Sequence, residues 1–113
     1  MAVVRVRIER SPDGPITAFT VDGHSGSGPR GRDIVCAGVS ALTQTAVLGL
    51  ERRLHLAVDV EASAGLLVCR LPSGLEDPLL GRAQDVLETM RIGLCAMAAA
   101  HPGHVRVFDR GGA

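Results

Sequence analysis

The stretch from Gly23 to Arg32 limits what the chain around it can form. It holds four glycines, two serines and one proline. Glycine loses the most freedom on ordering, and proline removes a backbone donor, so neither a helix nor a central strand runs through it. It is a loop of roughly nine residues, against the usual connection of about 4–6. Long loops in ordered domains carry function. The rest of the chain is read outward from it.

Upstream, Val4, Val6 and Ile8 alternate with Arg5, Arg7 and Glu9, the period of a half-buried strand over residues 3–9. Ser11-Pro12-Asp13-Gly14-Pro15 is a turn, in which proline fixes φ and glycine tolerates φ > 0. Ile16 to Asp22 makes a second strand, pairing with the first as a hairpin. Downstream, Asp33 is suited to cap a helix. Val35, Val39, Leu42, Ala46 and Leu50 give that helix a buried stripe, with Cys36, Ser40, Thr43 and Val47 beside it. Gly38 and Gly49 each cost about 1 kcal/mol relative to alanine, which close backbone packing would explain. The helix should end near Leu54 or His55.

Leu56 to Ala62 alternates again, Ser63-Ala64-Gly65 turns, and Leu66 to Leu71 is a strand with apolar residues on both faces. These form a second hairpin. Pro72-Ser73-Gly74 breaks the chain before a helix from about Glu76 to Ala100, with Pro78 in its first turn. Its stripe is Leu79, Ala83, Val86, Leu87, Met90, Leu94 and Met97. Val105 to Phe108 adds an edge strand, and Asp109 to Ala113 reads as a frayed tail. The order ββαββαβ predicts an α+β fold of two layers, a mostly antiparallel sheet with both helices on one face. A split βαβ arrangement is the alternative. At this length one domain is expected, over residues 1–110, with 111–113 a flexible tail.

Composition narrows the function. Every one of the 12 basic residues is Arg, the formal net charge is zero, and Phe19 and Phe108 are the only aromatics. That is neither the basic field nor the stacking platform of a nucleic-acid binder, so no direct nucleic-acid partner is expected. No apolar run reads as long enough for a bilayer, and the alternating N-terminus is not a signal peptide. The expectation is a cytoplasmic protein with no membrane partner. Cys36, Cys69 and Cys95 are odd in number and widely spaced. They show no zinc pattern and fit thiols in a reducing compartment, so no metal and no cofactor are expected.

The chemistry concentrates around the loop. A thiolate is the nucleophile of cysteine chemistry, and a helix N-terminus or a nearby imidazolium favours it. Cys36 falls in the first helical turn, where unpaired N–H groups favour an anion and can also stabilise an oxyanion. His24 lies twelve residues earlier, at the end of the preceding strand. It is placed to act as general base and then as acid for a leaving amine. Asp33 either caps the helix or orients His24. Ser40, one turn below Cys36, either bonds within the site or back-bonds to the Cys36 carbonyl. A cysteine early in a helix also serves as a small buried apolar residue. Cys69 and Cys95 read as packing residues. His55, His101 and His104 sit at element ends, as solvated or capping groups.

Gly23-His24, then Gly31-x-Asp33-Ile-Val-Cys36-Ala, then Val39-Ser-Ala-Leu-Thr-Gln-Thr-Ala46 closely resemble the ribosomal-processing cysteine protease family Prp. Leu67-x-Cys-Arg-Leu-Pro72 and Met90-x-x-Gly-Leu94 are also similar. The resemblance implies a small homodimeric cysteine endopeptidase of the bacterial cytoplasm. Its implied substrate is an N-terminal extension of a large-subunit ribosomal protein, removed during ribosome assembly. His24 and Cys36 match the family's catalytic dyad, and Asp33 and Ser40 match residues of the same site, with Gly23 beside them. Ser25, Gly26, Ser27, Gly28, Pro29, Arg30, Gly31 and Arg32 match a mobile substrate loop. That loop departs from the family in lacking an aromatic residue, and its two arginines can attract acidic or phosphate groups. Gly38 stands where alanine is common. Two other readings compete. One is a catalytically silent, dimeric ribosome-assembly module of the same fold, motivated by Leu66 and Val68 on an apolar outer face. The other is a redox sensor at Cys36.

Overall fold

The computed structural model describes residues 3–23 and 34–110; the side chain of Arg110 is outside that description. The first strand, β1 (Val4–Arg10), pairs antiparallel with β2 (Ile16–Asp22). The register sets Val6 against Val21 and Ile8 against Phe19, so one face of the hairpin is continuously apolar. A slip between Glu9 and Arg10 brings Arg10 opposite Ile16. The second hairpin, β3 (Asp59–Ser63) and β4 (Leu66–Arg70), adds to the free edge of β2 through β4. The last strand, β5 (Val105–Arg110), runs parallel to β1 on the other side. The sheet order is therefore β3-β4-β2-β1-β5, antiparallel except for the β1–β5 pair.

The helices are α1 (Ile34–Leu48) and α2 (Leu79–Ala100). Val4, Val6, Ile8, Phe19, Val21 and Cys69 of the sheet form one core with Val39, Leu50, Leu87 and Leu94 of the helical layer. This is the expected two-layer α+β arrangement. The first helix continues beyond Leu48 as a π turn, Gly49–Arg53, which buries Leu50. The 20 residues Ile34–Arg53, with a mean hydropathy of 1.5, are long and apolar enough for a bilayer, contrary to the expectation that no run is. A core helix has the same composition, and Val35, Val39, Ala46 and Leu50 belong to the core.

The two helices pack antiparallel. Met97, near the end of α2, meets Gly38 near the start of α1, and Val86 meets Gly49. A Cβ at Gly38 would lie 2.7 Å from Met97 Cε, so this glycine allows a close approach. A Cβ at Gly49 would have ordinary room, 3.6 Å from Val86 Cγ1. The start of α2 is held by Asp77, whose Oδ1 accepts from the Gly81 N–H at 2.9 Å. It begins at Leu79, later than the sequence indicated, with Pro78 as its N-cap. Leu79 lies at the surface rather than in the stripe, and Cys95 is half-buried outside the core. Strand β3 starts at Asp59, so Leu56 is buried ahead of the strand rather than in it.

The segment read as a frayed tail is in part structural. Asp109 accepts two bonds from Arg10, at 2.9 Å from Nε and 3.0 Å from Nη2. Arg10 also donates to both oxygens of Glu88 and to the Gly14 carbonyl, and Arg91 joins through Glu88. The guanidinium thereby ties β1, β5, α2 and the first turn together. These bonds, Asp109's first, raise the Arg10 pKa further. The Arg10 bond, aided by Arg91, holds the Glu88 carboxyl at about 2. Nearby, the Gln84 side-chain amide bonds both backbone groups of Ile16, at 2.6 and 2.8 Å, extending the sheet's pattern onto α2. Residues 111–113 lie outside the described residues.

Candidate active site

Register and helix direction bring one set of ends together. The start of β1, the end of β2, the β3–β4 turn and the start of β5 share one end of the sheet. The contact between Gly38 and Met97 fixes the start of α1 beside the end of α2. The Arg10 cluster closes the opposite end.

Cys36 is the third residue of α1. The N-terminal turn of a helix carries the positive end of its dipole. The side chain is partly buried and packs against the core, while Ile34 is 73% exposed. The thiol therefore sits where the core meets the surface.

Gly23 follows directly on β2. The strand is paired to its last residue, with Asp22 opposite both Arg5 and Leu66, and Asp22 accepts a charged bond from Arg7. Gly23 then turns with φ +83, and an added Cβ would lie 2.3 Å from the Val3 carbonyl oxygen. Only glycine fits both conditions. The chain thus leaves the sheet from a fixed point. His24, Asp33 and the intervening residues, Ser25 to Arg32, lie outside the described residues. So does the choice between cap and orienter for Asp33.

Ser40 lies one turn below Cys36 and is half-buried. With Thr43 and Gln44 it forms one wall of a cleft of about 150 Å³, opposite Val21, Ala62 and Leu67. Thr43 makes a back-bond of its own: its hydroxyl donates to the Val39 carbonyl at 2.9 Å and to that of Ser40 at 3.3 Å. This cleft has no counterpart in the sequence reading, because its two walls meet only when the β3–β4 register and the angle of α1 are both set.

The three cysteines carry thiols rather than disulfides. Cys69 is 2% exposed, and burial, with lesser contributions from Glu51 and Asp59, pushes its thiol up to about 11. It is a core residue, as expected. His55 is exposed at φ +55, just past the π turn. His101 and His104 pack edge to face at 6.5 Å in the α2–β5 connection, both exposed. The His104 carbonyl accepts from the Val4 N–H at 2.9 Å, which places this pair at the Gly23 end of the sheet. Among the described residues no group of three His, Cys, Asp or Glu side chains could hold a metal ion.

The comparisons with known proteins bear on the family and the fold. The model of the cysteine protease Prp family matches residues 3–106. The ribosomal processing cysteine protease Prp of Bacillus subtilis is 29% identical over 111 residues, 93% of this chain and 96% of the relative. SMU.848 of Streptococcus mutans superposes with a TM-score of 0.83 at 26% identity, over 96% of this chain and 94% of the other. Prp of S. aureus, solved in complex with a substrate peptide, superposes at 0.77 with 25% identity, over 97% of this chain and all 100% of the other. The same protease has been solved with a covalently linked product peptide, at 26% identity, TM-score 0.77 and the same coverage. A match over nearly the whole length, on a fold whose first helix presents a cysteine at its N-terminal turn, makes this chain a member of the cysteine protease Prp family.

Proposed function

We propose that this cysteine protease cleaves an N-terminal extension from a large-subunit ribosomal protein, with Cys36 as nucleophile and His24 as general base. The observation that carries the assignment of the nucleophile is the position of Cys36, in the first turn of α1 at the margin of the core. Cys69 is buried and its thiol is held neutral, which leaves it unsuited to the role. The fixed exit at Gly23, at the same end of the sheet as the start of α1, supports His24 as the partner. The processing role rests on the likeness to the B. subtilis and S. aureus relatives.

In this reading His24 takes the thiol proton, and the Cys36 sulfur attacks the scissile carbonyl. The N–H groups of the first turn receive the developing oxyanion. The tetrahedral intermediate collapses as His24 gives its proton to the leaving amine, and water then hydrolyses the thioester. A covalent peptide adduct, as in the S. aureus relative, is what such a nucleophile forms. Asp33 and Ser40 support the site, and residues 25–32 contact the peptide. We assign the protein to the cytoplasm as a homodimer, in keeping with the family resemblance.

Cleavage of a ribosomal-protein N-terminal segment, followed by mass spectrometry, tests the assignment. Cys36→Ala and His24→Ala are each expected to lose activity by at least about a hundredfold. Equal cleavage by Cys36→Ala and the unaltered protein would sink it. The silent-module reading loses part of its motive, since Val68 is 7% exposed and Leu66 alone on β4 presents a large apolar surface.

A further inference from the structure

We propose that the cleft between α1 and the β3–β4 hairpin is a specificity pocket for one aliphatic side chain of the peptide, two to four residues from the scissile bond. The inference rests on the assignment of Cys36 as nucleophile and adds the chemical class of residue that the substrate must carry.

Its floor follows from the register. Ala62 pairs with Leu67, and Leu67 with Val21, so the three side chains form an apolar row on the sheet's inner face. Val21 is buried, Leu67 is half-buried and Ala62 is exposed. The row therefore opens toward the β3 edge of the sheet. Ser40, Thr43 and Gln44 of α1 stand over it. The cleft measures about 150 Å³, the size of an engineered apolar cavity that takes one benzene. One branched aliphatic side chain suits that room and that floor; an indole does not.

Distance ties the cleft to the reaction. Ser40 is four residues along α1 from Cys36 and Gln44 is eight, or about 6 and 12 Å at the helical rise. An extended peptide advances about 3.3 Å per residue. A side chain entering the cleft thus belongs to a residue two to four places from the attacked carbonyl. Gln44 is exposed at the rim, where its amide offers a donor and an acceptor to a peptide backbone.

Two sets of peptide affinity labels test this on the full chain. One set carries a chloromethyl ketone at the C-terminus, the other a chloroacetyl group at the N-terminus, so both sides of the scissile bond are sampled. In each, the residue two, three or four places from the reactive carbon is varied through Gly, Ala, Val, Leu and Trp. Mass spectrometry gives the rate of labelling at Cys36. One position in one set should gain on the order of tenfold from Gly to Val or Leu and lose the gain at Trp. Ala62→Phe, which fills the floor, should abolish the gain, and Leu67→Ala, which deepens it, should move the optimum to a larger residue.

Flat rates across both sets overturn the proposal, and so does a preference that survives both variants unchanged. Iodoacetamide, too small to reach the cleft, reports on Cys36 itself. If it labels Cys36 readily while the peptides show no selectivity, the pocket fails and the nucleophile stands. If Cys36 is inert to every reagent, the nucleophile fails and takes the pocket with it.

Discussion

Replacing Gly23 by alanine separates two costs that usually arrive together. The residue sits at φ +83, and its new Cβ would meet the Val3 carbonyl oxygen at 2.3 Å. Left-handed backbone costs a residue with a Cβ about 1–2 kcal/mol. The contact is more than ~1 Å inside ordinary separation, and the atom it meets belongs to the backbone. Val3 cannot withdraw without disturbing Val4, whose N–H bonds the His104 carbonyl and which pairs with Val105. Forced overpacking of this kind adds about 1–3 kcal/mol. Gly74 supplies the control, since it has nearly the same φ, +73, and nothing within 4 Å of its added Cβ. Gly74→Ala should therefore lose only the conformational part, about 1–2 kcal/mol, and Gly23→Ala about 2–5 kcal/mol in all. Urea unfolding of the three proteins, compared at equal m values, measures both losses. Equal losses at the two positions would refute the contact and with it the fixed exit from β2. Peptide cleavage gives an independent readout, because a displaced residue 23 carries residue 24 with it, whereas Gly74 lies outside the candidate site.

Three further outcomes are expected. Arg10→Ala should lose about 2 kcal/mol, because five donors to two carboxylates and a carbonyl disappear, with partial solvation of Glu88 and Asp109 limiting the damage; Arg10→Lys should recover less than half, since an ammonium cannot fork. With the Glu88 carboxyl near 2 in the fold and near 4.5 when unfolded, its contribution is complete above pH 4.5 and is lost as pH falls toward 2, so the gap between Arg10→Ala and the unaltered protein should narrow over that range in acid titrations. Cys69 should resist alkylation in the native protein up to pH 9, and its raised thiol should make stability fall above pH 9, as the unfolded chain ionises first. Gly38→Ala should stay within about 0.5 kcal/mol by thermal unfolding, because a helix-propensity gain near 1 kcal/mol offsets turning the end of the flexible Met97 side chain out of the way.

The two-layer fold was legible because its signals are local. Val4, Val6 and Ile8 alternate strictly, Phe19 and Val21 repeat the pattern, and the α1 stripe recurs at helical spacing. Cys36 was legible as a first-turn residue because the Gly-rich stretch stops just short of it. What the pattern could not carry were contacts between distant segments. Asp109 was read as tail because nothing near it in sequence shows that Arg10, 99 residues earlier, accepts it as a partner. Leu79 was placed in the α2 stripe on periodicity, yet it lies at the helix end, beyond the reach of the core. The cleft wall at Ala62 depends on register, and a shift of one residue would turn Ala62 and Leu67 to the other face.

The same two glycines bear on how a small domain keeps a reactive end open. At the far end of the sheet, Arg10 fastens two strands and α2 through charged hydrogen bonds that rely on long side chains. At the site end, the fastening uses backbone: Gly23 lies against the Val3 carbonyl, and Gly38 lets α1 sit close to Met97. A side chain at Gly23 would run into the Val3 backbone, whereas one at Gly38 would displace only the end of Met97. Glycine at residue 23 therefore lets the end of β2 lie against the start of β1. The thiol stays half-exposed while Val35 and Val39, on either side of it in sequence, complete the core.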